Sequence, residues 1–202
     1  MGSMLFDTIA PIYGLFYQHQ RANFKEVIRY AERYLDIAAY ETVLDVGCGP
    51  GALCSVLNEK GLRVTGIDVA VNMLNIAKGR PENRGVQFVR ASILDPLPFA
   101  DKSYDISIAS YVAHGLKKEE RQRMYMQMSR LTKHKVIIHD FNRNRGLLTS
   151  VVEWLERGDY FSFIQVAEDE MRKCRFDAQE CFSAVEVINV GTRSSWYICT
   201  PA

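Results

Sequence analysis

The chain carries almost no net charge, since 25 lysines and arginines stand against 24 aspartates and glutamates for a formal +1. It lacks the positive field that binding to a phosphate backbone requires, so nucleic acid is not expected as a partner. No apolar run approaches the roughly 20 residues that span a bilayer, and no basic stretch followed by an apolar signal region opens the sequence. The expectation is a soluble, cytoplasmic protein without a membrane partner. Cysteine is sparse too. The five cysteines, at positions 48, 54, 174, 181 and 199, form no C-x-x-C pair and have no histidine at zinc-ligand spacing. No metal is expected, and the odd count does not suit a secreted disulfide framework, so all five read as buried or incidental thiols. There is no internal repeat and no low-complexity linker.

A hydrophobic content of 48% in 202 residues can bury one sizeable core, and a single domain over 1–202 is the expectation. From Glu41 onward strand-like and helix-like stretches alternate. Strands are expected at 42–46, 63–68, 86–91, 104–110 and 136–140, and helices at 52–61, 72–78 and 118–131. That order is the signature of parallel strands joined by crossover helices. After it come a helix near 147–155, a mixed segment at 160–173, and β-rich runs at 182–190 and 194–199. The turn through Gly191 that joins those runs is too short for a parallel crossover and demands an antiparallel pair. The fold class is therefore α/β, doubly wound and Rossmann-like, a seven-stranded mostly parallel sheet with a C-terminal antiparallel hairpin. Ahead of it, 22–35 reads as an amphipathic helix with Phe24, Val27, Ile28, Ala31 and Leu35 on one face. Phe6, Tyr13, Phe16 and Tyr17 form an aromatic arm upstream. The basic runs Lys133-His134-Lys135 and Arg143-Asn144-Arg145 read as solvated loop charge.

A strand that runs into Gly47-x-Gly49-x-Gly51 and then into a helix has a physical purpose. Without side chains the backbone can turn sharply, and a ligand can lie against its N–H groups at the helix N-terminus. Asp68, about 20 residues on at the end of the second strand, stands where a carboxylate accepts from ribose hydroxyls in doubly wound sheets. The spacing is shorter than the dinucleotide G-x-G-x-x-G, and no Gly-Lys-Ser/Thr ending follows to hold phosphates and magnesium. An adenosine compound without a pyrophosphate is the expected ligand.

The segment Val43-Leu44-Asp45-Val46-Gly47-Cys48-Gly49-Pro50-Gly51 resembles the first motif of class I S-adenosylmethionine-dependent methyltransferases. Gly66-Ile67-Asp68-Val69-Ala70-Val71-Asn72-Met73-Leu74 resembles their second. The loop and strand from Leu97 to Asp105, and the opening from Phe6 to Tyr13, resemble the small-molecule branch of that family. The resemblance implies S-adenosyl-L-methionine as cofactor and S-adenosyl-L-homocysteine as product. It implies that Gly47, Cys48, Gly49 and Gly51 line the methionine moiety, with Asp45 near its amino group and Asp68 on the ribose hydroxyls. Val69 and Met73 would pack on the adenine, while Ala91, Ser92 and Ile93 border its edge. The family often has an acid there, and Ser92 departs from that pattern by carrying no charge. Ser110 would lie near the sulfonium, and Tyr13 or Tyr17 would close over the carboxylate end. On this basis 4–40 is an N-terminal helical arm or cap, 41–140 the cofactor-binding core, and 141–202 the remaining sheet with acceptor-side segments.

The expected function is methyl transfer to a small-molecule acceptor by in-line displacement. Such an enzyme mainly aligns the acceptor and excludes water, and a general base helps when the acceptor must lose a proton. His114, just past the fourth strand, is the candidate base, with His139 and Asp140 at the end of the fifth also at the ligand-binding edge. Ser110-Tyr111-Val112-Ala113 is not the Asn/Asp-Pro-Pro-Tyr sequence that the family uses on exocyclic or amide nitrogens, which weighs against bases in nucleic acid. An S-adenosylmethionine-binding regulatory protein without transfer activity is the alternative, and a nucleotide-dependent oxidoreductase is disfavoured by the glycine spacing. Monomer and homodimer both remain open.

Overall fold

The structure, a computed structural model, describes residues 16–144, 159–176 and 179–202. Its seven-stranded sheet is mostly parallel, Rossmann-like, and ends in a C-terminal antiparallel hairpin. Two compact units divide the chain, residues 1–95 and 96–202.

The first unit contains α1 (Tyr17–Ala31), β1 (Thr42–Val46), α2 (Ala52–Glu59), β2 (Arg63–Asp68), α3 (Val71–Gly79) and β3 (Gln87–Arg90). Its strands lie in the order β3-β2-β1, all parallel, with Asp45 opposite Gly66 and Ile67 opposite Val89. Val43, Leu44, Asp45 and Val46 are all buried, as a parallel strand covered on both faces must be. Helix α1 buries Val27, Ile28 and Ala31 and keeps Glu26 and Arg29 exposed, with Arg21 half-buried on Ser55 and Glu59. Each of the two branched side chains contributes about 1.5–3 kcal/mol on full burial. The helix begins at Tyr17, five residues earlier than its apolar pattern indicates, because the Tyr17 side chain is itself fully buried with Arg80 over its ring at 4.6 Å.

The second unit contains β4 (Tyr104–Ser110), α4 (Lys118–Leu131), β5 (Thr132–Phe141), α5 (Tyr160–Arg172), the short strands β6 (Arg175–Phe176) and β7 (Gln179–Glu180), then β8 (Phe182–Asn189) and β9 (Ser194–Pro201). Here the order is β4-β5-β9-β8, parallel between β4 and β5 and antiparallel thereafter. Three expectations are corrected. Strand β5 starts at Thr132, paired with Tyr104, so Lys133-His134-Lys135 is strand and not loop. Lys133 and His134 are nevertheless exposed, and Lys133 Nζ meets Asp105 at 2.8 Å. The mixed segment after Asp159 is the single helix α5, because Phe163, Ile164, Ala167 and Met171 recur on one buried face. Finally, Cys174 and Cys181 are joined as a disulfide, with Cα atoms 5.5 Å apart, flanking the β6–β7 ribbon. Backbone pairing brings the two sulfurs together, which sequence spacing did not indicate. Cys48, Cys54 and Cys199 are free and buried. The helix expected at 147–155, Tyr13 and Arg145 lie outside the described residues.

Candidate active site

In the first unit the glycine turn is held in place by the strand beside it. Gly47 and Cys48 both donate their N–H to the carbonyl of Ile67, at 2.8 and 3.0 Å. Gly47, Gly49 and Gly51 have φ of 68°, 52° and 82°, the left-handed region that other residues adopt at a cost. Two of these glycines serve different ends. A Cβ on Gly51 would stand 2.4 Å from Asn83 Nδ2, whose amide is fixed by the Ala77 carbonyl at 2.9 Å. A Cβ on Gly49 would meet nothing within 4 Å, so the turn opens there onto free space.

Asp68 closes the turn. Its Oδ2 accepts from Gly49 N and its Oδ1 from Ala70 N, both at 2.8 Å. Asp45, 1% exposed, accepts from the Cys54 thiol at 3.0 Å. Burial raises the Asp45 carboxyl from 3.8 to about 7, opposed by the Cys54 hydrogen bond and reinforced by the charge of Asp68. Burial also pushes the Cys54 thiol up, keeping it a donor. Cys48 and Cys54 fit here only because residue 66 is glycine, since a Cβ at that position would stand 2.9 Å from each sulfur.

Val69 and Val71 expose 38% and 40% of their surface just past β2, whereas Met73 is buried against Ala70 and Ile76. Ala91 N donates to the Asp68 carbonyl at 3.1 Å, which carries the chain to the half-buried Ser92 and buried Ile93. The Ser92 hydroxyl accepts from Leu94 N at 3.1 Å. Tyr17 belongs to the buried face of α1. Around the turn the Gly49 position is open and Val69 and Val71 are exposed, whereas Asp45 is buried.

In the second unit the carboxyl ends of β4 and β5 bring Ser110, His114, His139 and Asp140 together. Asp140, wholly buried, accepts from His114 twice, from ring Nδ1 to Oδ1 at 2.7 Å and from the backbone N–H to Oδ2 at 3.2 Å. His139 Nδ1 is 3.5 Å from the Ser110 hydroxyl, and burial lowers its pKa from 6.5 to about 4, against the raising charge of Asp140. His139 is thus a neutral imidazole at ordinary pH. Aromatic rings flank the pair: Phe141 edge-on to His114 at 4.9 Å, Tyr160 at 6.3 Å, and Tyr111 against His139 at 4.7 Å. Tyr111 has φ of 57°, a strained conformation for a bulky residue, held by its N–H on the His139 carbonyl at 2.8 Å.

Sequence reasoning missed Tyr111, Gly66 and the buried Arg121. A positive φ at tyrosine leaves no sequence signal, and a glycine inside a strand is a cue for close approach that does not say to what. A cavity of about 350 Å³ also opens beside α5, lined by Asn142, Ile164, Val187, Ser195 and Tyr197 among others. It includes neither His114 nor Tyr111.

Residues 43–135 match the family described as methyltransferase domain. Over 108 residues, half of this chain, the sequence is 37% identical to a demethylmenaquinone methyltransferase of Thermus thermophilus, covering 48% of that protein. Over 72 residues, 36% of the chain, it is 44% identical to an uncharacterized methyltransferase of Mycolicibacterium gilvum, covering 28% of it. The chain thus spans less than half the length of each of these two curated relatives. Among solved structures, a SAM-dependent methyltransferase from Thermotoga maritima superposes with a TM-score of 0.71 at 15% identity, covering 98% of this chain and 99% of that one. Magnesium protoporphyrin IX methyltransferase from Synechocystis, with bound SAH, gives 0.60 at 17% identity over 91% and 84%. Taken with the glycine turn and its acid-tipped second strand, these matches make residues 43–135 similar to methyltransferase domains and the fold similar to that of S-adenosylmethionine-dependent methyltransferases.

Proposed function

We propose that this chain transfers a methyl group from S-adenosyl-L-methionine to a small-molecule acceptor, with His114 as the general base. The observation that carries the cofactor reading is the opening at Gly49 in a turn closed by Asp68. In this reading the turn and Asp45 hold the methionine end, Asp68 the ribose, and Val69 the adenine. When bound, the cofactor supplies a methyl already activated on a positive sulfur. The protein's remaining tasks are alignment, exclusion of water and removal of the acceptor's proton.

The last task falls to His114. A carboxylate at 2.7 Å fixes the proton on Nδ1, which leaves the Nε2 lone pair as the basic position. Asp140 orients the ring and stabilises the imidazolium that forms. His139, neutral well below pH 6, adds no competing charge. The rings of Phe141, Tyr160 and Tyr111 around the two histidines suit a flat, apolar acceptor with an acidic hydroxyl or carbon.

The test joins calorimetric titration with S-adenosylmethionine and NAD to an acceptor screen that detects S-adenosylhomocysteine. S-adenosylmethionine should bind and NAD should not, and NAD binding alone would overturn the reading. With an acceptor in hand, His114→Gln should lower kcat about 100-fold while leaving cofactor affinity unchanged. Cofactor binding with silence across broad acceptor classes would favour a regulatory binding protein instead.

A further inference from the structure

Arg121 lies in the first turn of α4 with its side chain 1% exposed, an uncommon place for a guanidinium. Four charge-assisted hydrogen bonds account for it. Nε and Nη2 grip Glu170 of α5 in a bidentate pair, at 2.7 Å each. Nη1 donates to Asp159 Oδ2 at 2.9 Å and to the carbonyl of Leu116 at 2.6 Å. The Phe163 ring lies 5.4 Å from the guanidinium carbon. Burial opposes the charge, but the bonds to Glu170 and Asp159 outweigh it and hold the pKa above its ordinary value.

The far ends of these bonds share a destination. Leu116 closes the 3-10 turn Ala113–Gly115 that carries His114. Asp159 immediately precedes Tyr160, whose ring stands edge-on to His114. Glu170 ties down the last part of the same helix. A buried ion pair stabilises a fold no better than apolar residues of the same volume, and what it adds is direction. Here the direction is towards the segments on either side of one histidine.

We propose that Arg121 is a positioning residue for His114, fixing at one point both the turn that carries the imidazole and the helix end whose tyrosine covers it. This rests on the reading of His114 as the base, but its test does not need an acceptor. In the double variant Arg121→Met with Glu170→Met, volume and apolar contact are retained and the directed bonds are lost. Its melting temperature should stay within about 5 °C of wild type. The His114 ring, followed by nitrogen-15 NMR, should nevertheless lose its single protected Nδ1–H signal and move its titration midpoint by at least about 0.5 pH. A wild-type His114 signal and midpoint in the folded double variant would overturn the proposal. If that variant does not fold, Arg121→Lys provides the comparison, since it keeps the charge but not the fork. It should give an intermediate displacement of the midpoint, and an unchanged His114 would again overturn the proposal. Failure of the base reading is distinguishable: His114→Gln would then leave turnover intact whatever Arg121 does to the ring.

Discussion

The side chain of Asp68 and the backbone of Gly49 are joined by a 2.8 Å hydrogen bond across 19 residues of chain. The acid at the end of β2 is therefore part of the glycine turn itself. With its other oxygen on Ala70 N, the carboxylate is oriented by the backbone before any ligand arrives.

Asp68→Ala should consequently impair two properties at once. Two backbone N–H groups lose their acceptor, at about 1–3 kcal/mol for each that stays buried and unpaired. S-adenosylmethionine affinity should fall at least about tenfold, or about 1.4 kcal/mol. Thermal unfolding and calorimetric titration measure the two, and a lower melting temperature with unchanged affinity would remove Asp68 from the ribose site.

The glycines of the turn should separate under substitution. Gly51→Ala drives a methyl group against a fixed Asn83 amide at φ of 82°, so it should destabilise the protein by more than the roughly 1–2 kcal/mol of left-handed strain alone. Gly49→Ala carries the strain without the clash, and its methyl points into the opening. It should fold close to normally yet bind cofactor poorly. Equal affinity in Gly49→Ala and wild type would mean that nothing docks at that opening.

Asp45 makes the ligand-free protein less stable as pH rises. Its folded pKa, about 7, lies above the ordinary 3.8, so the protonated acid is the form the buried site favours. Its contribution is complete below about pH 4 and lost as pH rises through about 7, since a tenfold difference in proton affinity between folded and unfolded chain is worth about 1.4 kcal/mol. Asp45→Asn should flatten that part of the stability profile in chemical unfolding. A cofactor ammonium beside Asp45 would instead favour the carboxylate. Binding near pH 6 should therefore release a proton, visible as a buffer-dependent heat that Asp45→Asn lacks.

His139 works in the opposite sense. Its folded pKa of about 4 lies below 6.5, so its contribution is complete above pH 6.5 and lost as pH falls through about 4. A difference of that size corresponds to a few kcal/mol, on the order of 3. The ring resonances of His139 should show no titration between pH 8 and 5, and an ordinary midpoint near 6.5 would mean that the ring meets water.

Much of the fold was legible because burial imposes periodicity. The apolar runs of β1 and β2, the alternation of strands and helices, and the short turn before β9 each follow from local rules that act within about ten residues. Strand β4 and helix α4 begin and end where their patterns place them. The glycine turn was legible for the same reason, since left-handed backbone needs glycine. Starts and ends were less so. Helix α1 reaches back to Tyr17 for a ring contact with Arg80, and β5 reaches back to Thr132 for pairing with β4, and both are long-range contacts.

The sequence by itself determined the fold class, the family motifs and the residue types at the turn, because these depend on backbone conformation and neighbours along the chain. Only the tertiary structure decided what those residues do to one another. It placed Asp140 on His114 and pushed the pKa of Asp45 up and that of His139 down by enclosing both. It also fitted two thiols against Gly66 and buried Arg121 among partners up to 49 residues away. Charge state, orientation and strain depend on which groups meet in three dimensions and how much water is left between them.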